Sequence, residues 1–131
     1  MTIEDIIADF RKLETLDAEI ATQAAPRLEA IVKKTAAAGM TPDGQPWKPR
    51  KKDGGRPLEH AEERIRSEVN GSTIVLVVGG PEYWHQKAKP GASLPQRKVI
   101  PSAGDPLPDS LRTELDAVTS ETIAKVMRGA A

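Results

Sequence analysis

The side chains that could do covalent or metal chemistry are few and scattered. His60 and His85 are the histidines, and there is no cysteine. A zinc site takes about four ligands, so carboxylates would have to complete one here; no metal is expected. Acid–base catalysis asks for paired carboxylates held in a cleft, whereas Glu59, Glu62 and Glu63 sit in a polar stretch that reads as a solvated face. Ser93, Ser102 and Ser110 lack the strand–turn–helix context of a nucleophile elbow. Gly79-Gly80 lacks the further glycine and the lysine of a phosphate loop, and Asp43-Gly44 reads as a turn. Neither enzyme activity nor a cofactor is expected.

What remains is the chemistry of contact. Trp47 stands in a Pro/Gly-rich loop beside a basic cluster of Lys48, Arg50, Lys51, Lys52 and Arg56. Tyr83 and Trp84 sit in a short helical turn ahead of His85 and Gln86, and on such a turn they face different ways. Trp47 has two readings: an anchor pressed into a neighbouring subunit, where Trp is favoured, or a side chain that pins its own loop. The basic cluster also has two. It can neutralise phosphates, which would make the chain a small nucleic-acid-binding module acting through loop 48–56. Alternatively it pairs with acidic residues of a neighbouring subunit. The pairing is favoured, because the loop carries one aromatic and no interleaved stacking platform. His85 and Gln86 are expected to hydrogen-bond backbone in an adjacent loop.

These segments hang on a simple frame. The 131 residues suit one domain. Residues 2–38 read as helical: Thr2 caps the start, and Ile3, Ile6, Ile7, Phe10 and Leu13 recur at helical spacing, continued by Leu16, Ile20, Ala24, Leu28, Ile31 and Val32. Thr15-Leu16-Asp17 offers a break, Pro26 a bend, and Gly39 a stop. Residues 39–57 are loop. In the span 58–101, Glu59 to Arg66 suits a short polar helix. Asn70-Gly71 suits a type I′ turn, and Thr73 to Val78 is a β-branched strand. Pro81 and Glu82 open a short helix, and Arg97 to Ile100 suits an edge strand. Residues 109–128 form a C-terminal helix capped by Asp109 or Ser110, with Leu111, Leu115, Val118, Thr122, Ile123 and Val126 on one stripe. The fold class is α+β: helices at both ends packed on a small antiparallel sheet with a hairpin, plus long Pro/Gly-rich loops.

Composition bounds the partners. Lys plus Arg equal Asp plus Glu at 19 each, so there is no global pull toward nucleic acid or lipid. The longest apolar run, Ile74 to Val78, is far too short to cross a bilayer, and the acidic start is unlike a secretory signal; a cytoplasmic setting without membrane partners is expected. Apolar residues make up 38% and aromatics 3%. That leaves a thin core, which often gains stability from neighbouring subunits.

The order of segments resembles the tail-completion or neck proteins of tailed bacteriophages, the Mu-like virion morphogenesis family. That family places a D-G-x-x-W-x-P loop after its first long helix, matched by Asp43, Gly44, Trp47 and Pro49. An aromatic-x-His-Gln segment follows its strand, matched by Tyr83, His85 and Gln86. A Pro-x-Arg stretch precedes its last helix, matched by Pro95 and Arg97. The likeness spans roughly Phe10 to Met127. The chain departs from the pattern with Gly55-Arg56-Pro57-Leu58 before the hairpin, Lys87-Ala88 after the His-Gln pair, and Lys98-Val99-Ile100-Pro101 after Arg97. The resemblance implies a virion component at the head–tail junction, assembled in the host cytoplasm. It would form a homo-oligomeric ring of six around the channel, touching head connector or adaptor proteins and tail tube or tail terminator proteins. A lumen-facing basic loop would touch the DNA. The expected contact residues are Trp47, Pro49, Tyr83, Trp84, His85, Gln86, Arg97, Val99 and Ile100.

Overall fold

In the computed structural model the described residues are 2–49, 57–58, 60–80, 82–87, 96–102 and 104–128, without the side chains of residues 83, 84 and 87. The elements run α1 (Ile3–Glu14), α2 (Leu16–Ala37), a 3-10 turn (Ala61–Arg64), β1 (Ile65–Asn70), β2 (Thr73–Val78), α3 (Glu82–Lys87) and α4 (Asp109–Met127). The fold is α+β, with a long, bent N-terminal helical segment, a C-terminal helix and an antiparallel two-stranded sheet.

Local chemistry accounts for most of the boundaries. Thr2 and Asp5 form a capping box: the Asp5 amide donates to Thr2 Oγ1 (3.2 Å) and the Thr2 amide to the Asp5 carboxylate (2.8 Å). The segment breaks at Thr15, as its sequence allows, whereas α2 runs uninterrupted through Pro26. Pro26 lies on the exposed face, where water is at hand for the carbonyl it leaves without an amide. At the other end Gly39 takes φ 74°. Its amide donates to Ala36 O (3.0 Å) and the Met40 amide to Thr35 O (2.9 Å), the Schellman pattern.

Three expectations shift. Asn70 pairs with Thr73, so the turn residues are Gly71-Ser72 rather than Asn70-Gly71. Gly71 has φ 62°, and among the described residues Leu58 is the only non-glycine with positive φ, which gives the type II′ pattern with glycine first. The turn before the hairpin is 3-10 and ends at Arg64, because Ile65 already pairs with Val78. At the start of α4 the cap is Pro108, with no side-chain bond; Asp109 is the first helical residue, where its charge suits the helix dipole.

Helices α2 and α4 lie against each other along an alanine-rich seam. Ala21, Ala24, Ala25 and Leu28 are buried on α2, and Leu111, Val118, Thr122 and Val126 on α4. Arg27 bridges them through Glu114 and through Glu121 (2.8 Å). The central core joins Leu28, Val32 and Ala36 to Trp47, Ala61, Ile65, Val78, Val99 and Leu111. The hairpin contributes its base to this core, while Val69 and Val75 near its tip stay exposed.

Glu29 tethers the hairpin to α2. Its carboxylate accepts from the Ser67 amide of β1 and faces Lys33 Nζ at 3.4 Å. Burial pushes this carboxyl up, but the Ser67 amide and the Lys33 ammonium outweigh it and hold it below the ordinary carboxylate range. A lowered folded-state pKa stabilises the fold above the unfolded value, and that contribution disappears as pH falls through the folded one. Glu29→Gln should therefore cost about 1–2 kcal/mol at neutral pH, and less as the solution is acidified below the usual carboxylate range. Urea melts of both proteins at neutral and acid pH check this; an equal cost at both would show that Glu29 acts by packing alone.

Candidate functional site

The loop after α2 closes on itself. The Thr41 amide donates to Gln45 O (2.7 Å) and the Gln45 amide to Thr41 Oγ1 (3.0 Å), with Asp43-Gly44 as the turn and Gly44 at φ 90°. The Trp47 amide then donates to Gly39 O (2.9 Å), which brings the indole back over α2. Trp47 is 5% exposed, and its Nε1–H donates to Lys98 O at 2.8 Å. A buried indole is expected to find such a partner.

A second tie runs through Arg97, 5% exposed. Its Nε donates to Lys48 O (2.8 Å) and its Nη2 to Pro49 O (3.2 Å). Nη1 lies 3.1 Å from His85 Nδ1, and the Arg97 amide donates to His85 O (3.1 Å). Nε2 of the same ring is 3.5 Å away, and because a guanidinium only donates, the ring nitrogen it bonds is an acceptor. Burial pulls the Arg97 pKa below its ordinary value, but from so high a start that the group remains a cation in water of any ordinary pH.

Gln86 makes the third tie. Its Oε1 accepts from the amides of Val99 (2.7 Å) and Ile100 (3.0 Å), and its Nε2 donates to Ile100 O (2.9 Å) and Ser102 Oγ (3.0 Å). This explains why 97–100 is no edge strand. The amides of Arg97, Val99 and Ile100 are spent on a side-chain carboxamide and on His85 O rather than on a ladder. Val99, fully buried, and Ile100, partly buried, pack into the core from there.

Segments far apart in the chain, the Trp47 loop, α3 and residues 96–102, are thus locked by one polar junction. Trp47, Pro49, His85, Gln86 and Arg97 meet in it. The Gln86 side chain bonds adjacent-loop backbone as expected, whereas His85 meets that loop through its own carbonyl and its ring faces the Arg97 guanidinium. Trp47, Arg97 and Val99, expected at a partner surface, are instead inside this chain, because their polar atoms or apolar bulk complete its own interior. Pro49 and Lys48 are exposed, but their carbonyls are the ones Arg97 holds. The expected roles of Arg50, Lys51, Lys52 and Arg56, and of the Tyr83 and Trp84 side chains, fall outside the described residues.

Other features were hidden from sequence reasoning. Glu82 is 3% exposed, and its carboxylate lies 3.2 Å from Arg64 Nε. His60 has Glu63 three residues on, a spacing already visible in the sequence, and its Nδ1 lies 3.6 Å from that carboxylate with both side chains open to solvent. Among the described residues no group of three His, Asp or Glu is placed to hold a metal ion, and no helix is long and apolar enough to cross a membrane. Most consequential is α1, which buries none of its residues. Its apolar stripe, read as core-facing, is bare, with Ile3 72% and Phe10 65% exposed. The available signal was the break at Thr15, which frees α1 from the line of α2. Compared with protein-family models, curated proteins and solved structures, the chain has no match.

Proposed function

We propose that this chain is a structural protein of a tailed-phage virion, one subunit of a ring at the head–tail junction that completes the tail or joins it to the head connector. The observation that carries the reading is the junction itself. The positions that match the neck-protein pattern, Trp47, Pro49, His85, Gln86 and Arg97, lie in distant segments yet interlock through hydrogen bonds. A pattern whose members hold one another has a physical reason to recur in that order. The work done is assembly. Polar groups in the junction are spent on fixing the backbone of Lys48, Pro49, Val99 and Ile100, which lowers the ordering cost of binding there. The bare stripe of α1 supports the same reading, since it is apolar surface that the chain's own fold leaves in water.

Deleting the coding sequence from its phage should give filled heads and finished tails that do not join, visible by electron microscopy, with joining restored by supply of the protein. The protein should be found in purified particles by mass spectrometry. Joined, infectious particles without it would remove the proposal. Salt-sensitive DNA binding by the isolated protein, together with its absence from particles, would favour the nucleic-acid module instead.

A further inference from the structure

An amphipathic helix of 12 residues is marginal in water on its own, and α1 buries none of them on its own chain. Its stripe of Ile3, Ile6, Ile7, Phe10 and Leu13 needs a cover. A second bare apolar patch lies on α4, where Ile123 is 40% and Met127 60% exposed. Ser120, Ile123 and Met127 share the outer face of α4, turned away from the buried Val118, Thr122 and Val126. Because α2 and α4 run antiparallel, with Glu19 and Gln23 beside Thr122 and Lys125 at one end and Thr35 beside Asp109 and Ser110 at the other, this patch sits at the same end of the helix pair as the junction with α1.

We propose that α1 packs antiparallel on the outer face of α4 in a second copy of this chain, its apolar stripe covering Ile123 and Met127. The inference rests on the self-assembly proposed above and names the surfaces that meet. Charge selects this occupant. With Phe10 placed opposite Ile123, helical periodicity brings Ile6 level with Met127, and Glu4 and Arg11 each to within one residue of the level of Arg128 and Glu121, each charged pair on the same edge of the seam. The antiparallel sense also sets the positive end of α1 at the negative end of α4. Pairing α1 with α1 of another copy would match Glu4 to Arg11 but leave Ile123 and Met127 in water. An anionic lipid surface is a poor match, because the polar face of α1 carries Glu4, Asp5 and Asp9 ahead of Arg11 and Lys12. The contact joins two different surfaces, so each copy donates one helix and receives another. It closes as a ring or as a reciprocal pair.

The chain has no cysteine, which makes disulfide trapping a clean test. Phe10→Cys and Ile123→Cys proteins are purified separately, then oxidised alone and as an equimolar mixture. The mixture should yield a dimer linking one chain of each kind, and neither variant alone should dimerise. A dimer from Phe10→Cys alone would overturn the proposal in favour of α1 on α1. A double variant that closes within one chain at any dilution, with no trans product, would overturn it in favour of folding back in cis. No cross-link in any arm would overturn it outright. In a separate arm, Arg128→Glu should abolish the oligomer on size exclusion with α2 and α4 still helical by circular dichroism, and Glu4→Arg in the same chain should restore it. An oligomer that forms without the cross-link sinks this contact and leaves self-assembly standing. A cross-link in a protein absent from particles leaves the contact and sinks the neck reading.

Discussion

Trp47→Ala is expected to lower the stability of the isolated chain by about 3–5 kcal/mol, the usual cost of deleting a buried large aromatic. That is a large share of the roughly 5–15 kcal/mol that a domain has in total. The reasons are specific to this core. The other buried members of its core cluster are Leu28, Val32, Ala36, Ala61, Ile65, Val78, Val99 and Leu111, all aliphatic, and none is large enough to fill the space of an indole by a change of rotamer. The substitution also strips Lys98 O of its donor and releases the loop that Trp47 folds back over α2. Trp47→Phe separates the contributions: it keeps most of the apolar bulk, loses the Nε1 hydrogen bond, and should cost about 1–2 kcal/mol. Denaturant unfolding followed by circular dichroism measures both, with an unchanged denaturant slope as the sign of an unchanged native state. An interface anchor would behave otherwise, weakening assembly while leaving the unfolding midpoint in place. A Trp47→Ala midpoint within 1 kcal/mol of wild type would return the residue to the surface.

The frame was legible in the sequence because it is written in local chemistry. Thr2 caps α1, Gly39 ends α2, and the β-branched run from Thr73 forms β2, each by an interaction that reaches a few residues. The hairpin turn was legible only to within one residue. Asn70-Gly71 and Gly71-Ser72 both satisfy a glycine-bearing turn, and the pairing of Ile65 with Val78 at the core end decides between them. What escaped depends on distance along the chain. Nothing local reveals that Gln86 occupies the amides of Val99 and Ile100, or that Arg97 reaches back to Lys48 and Pro49. A basic residue in a proline-rich loop looks like surface until the carbonyls that hold it are located. The opposite error arose at α1, where helical periodicity marks a face that must be covered but cannot say by which chain. Trp47, Pro49, His85, Gln86 and Arg97 meet within this chain, and Trp47 and Arg97 are buried in it rather than offered to a partner.

That inward placement gives the second large effect. Arg97→Met should cost about 2–3 kcal/mol, since it takes a buried charged donor away from its partners. Here those partners are Lys48 O, Pro49 O and His85 Nδ1. Arg97→Lys should recover little, because one ammonium on a flexible stem cannot reproduce a planar fork that serves two carbonyls and an imidazole at once. The damage should also be local before it is global. The amides of Trp47 and Arg97, whose acceptors are Gly39 O and His85 O, should lose hydrogen-exchange protection first. Those of Val32 in α2 and Val118 in α4 should hold until the whole chain opens, because their helices keep their own seam through Arg27, Glu114 and Glu121. Exchange read amide by amide distinguishes the lock from a generic core residue. Uniform loss across α2, α4 and the loops would mean that Arg97 only fills space. Unchanged protection at Trp47 and Arg97 would mean that the junction does not hold the loops at all, and with it would go the reason for reading the motif residues as one unit.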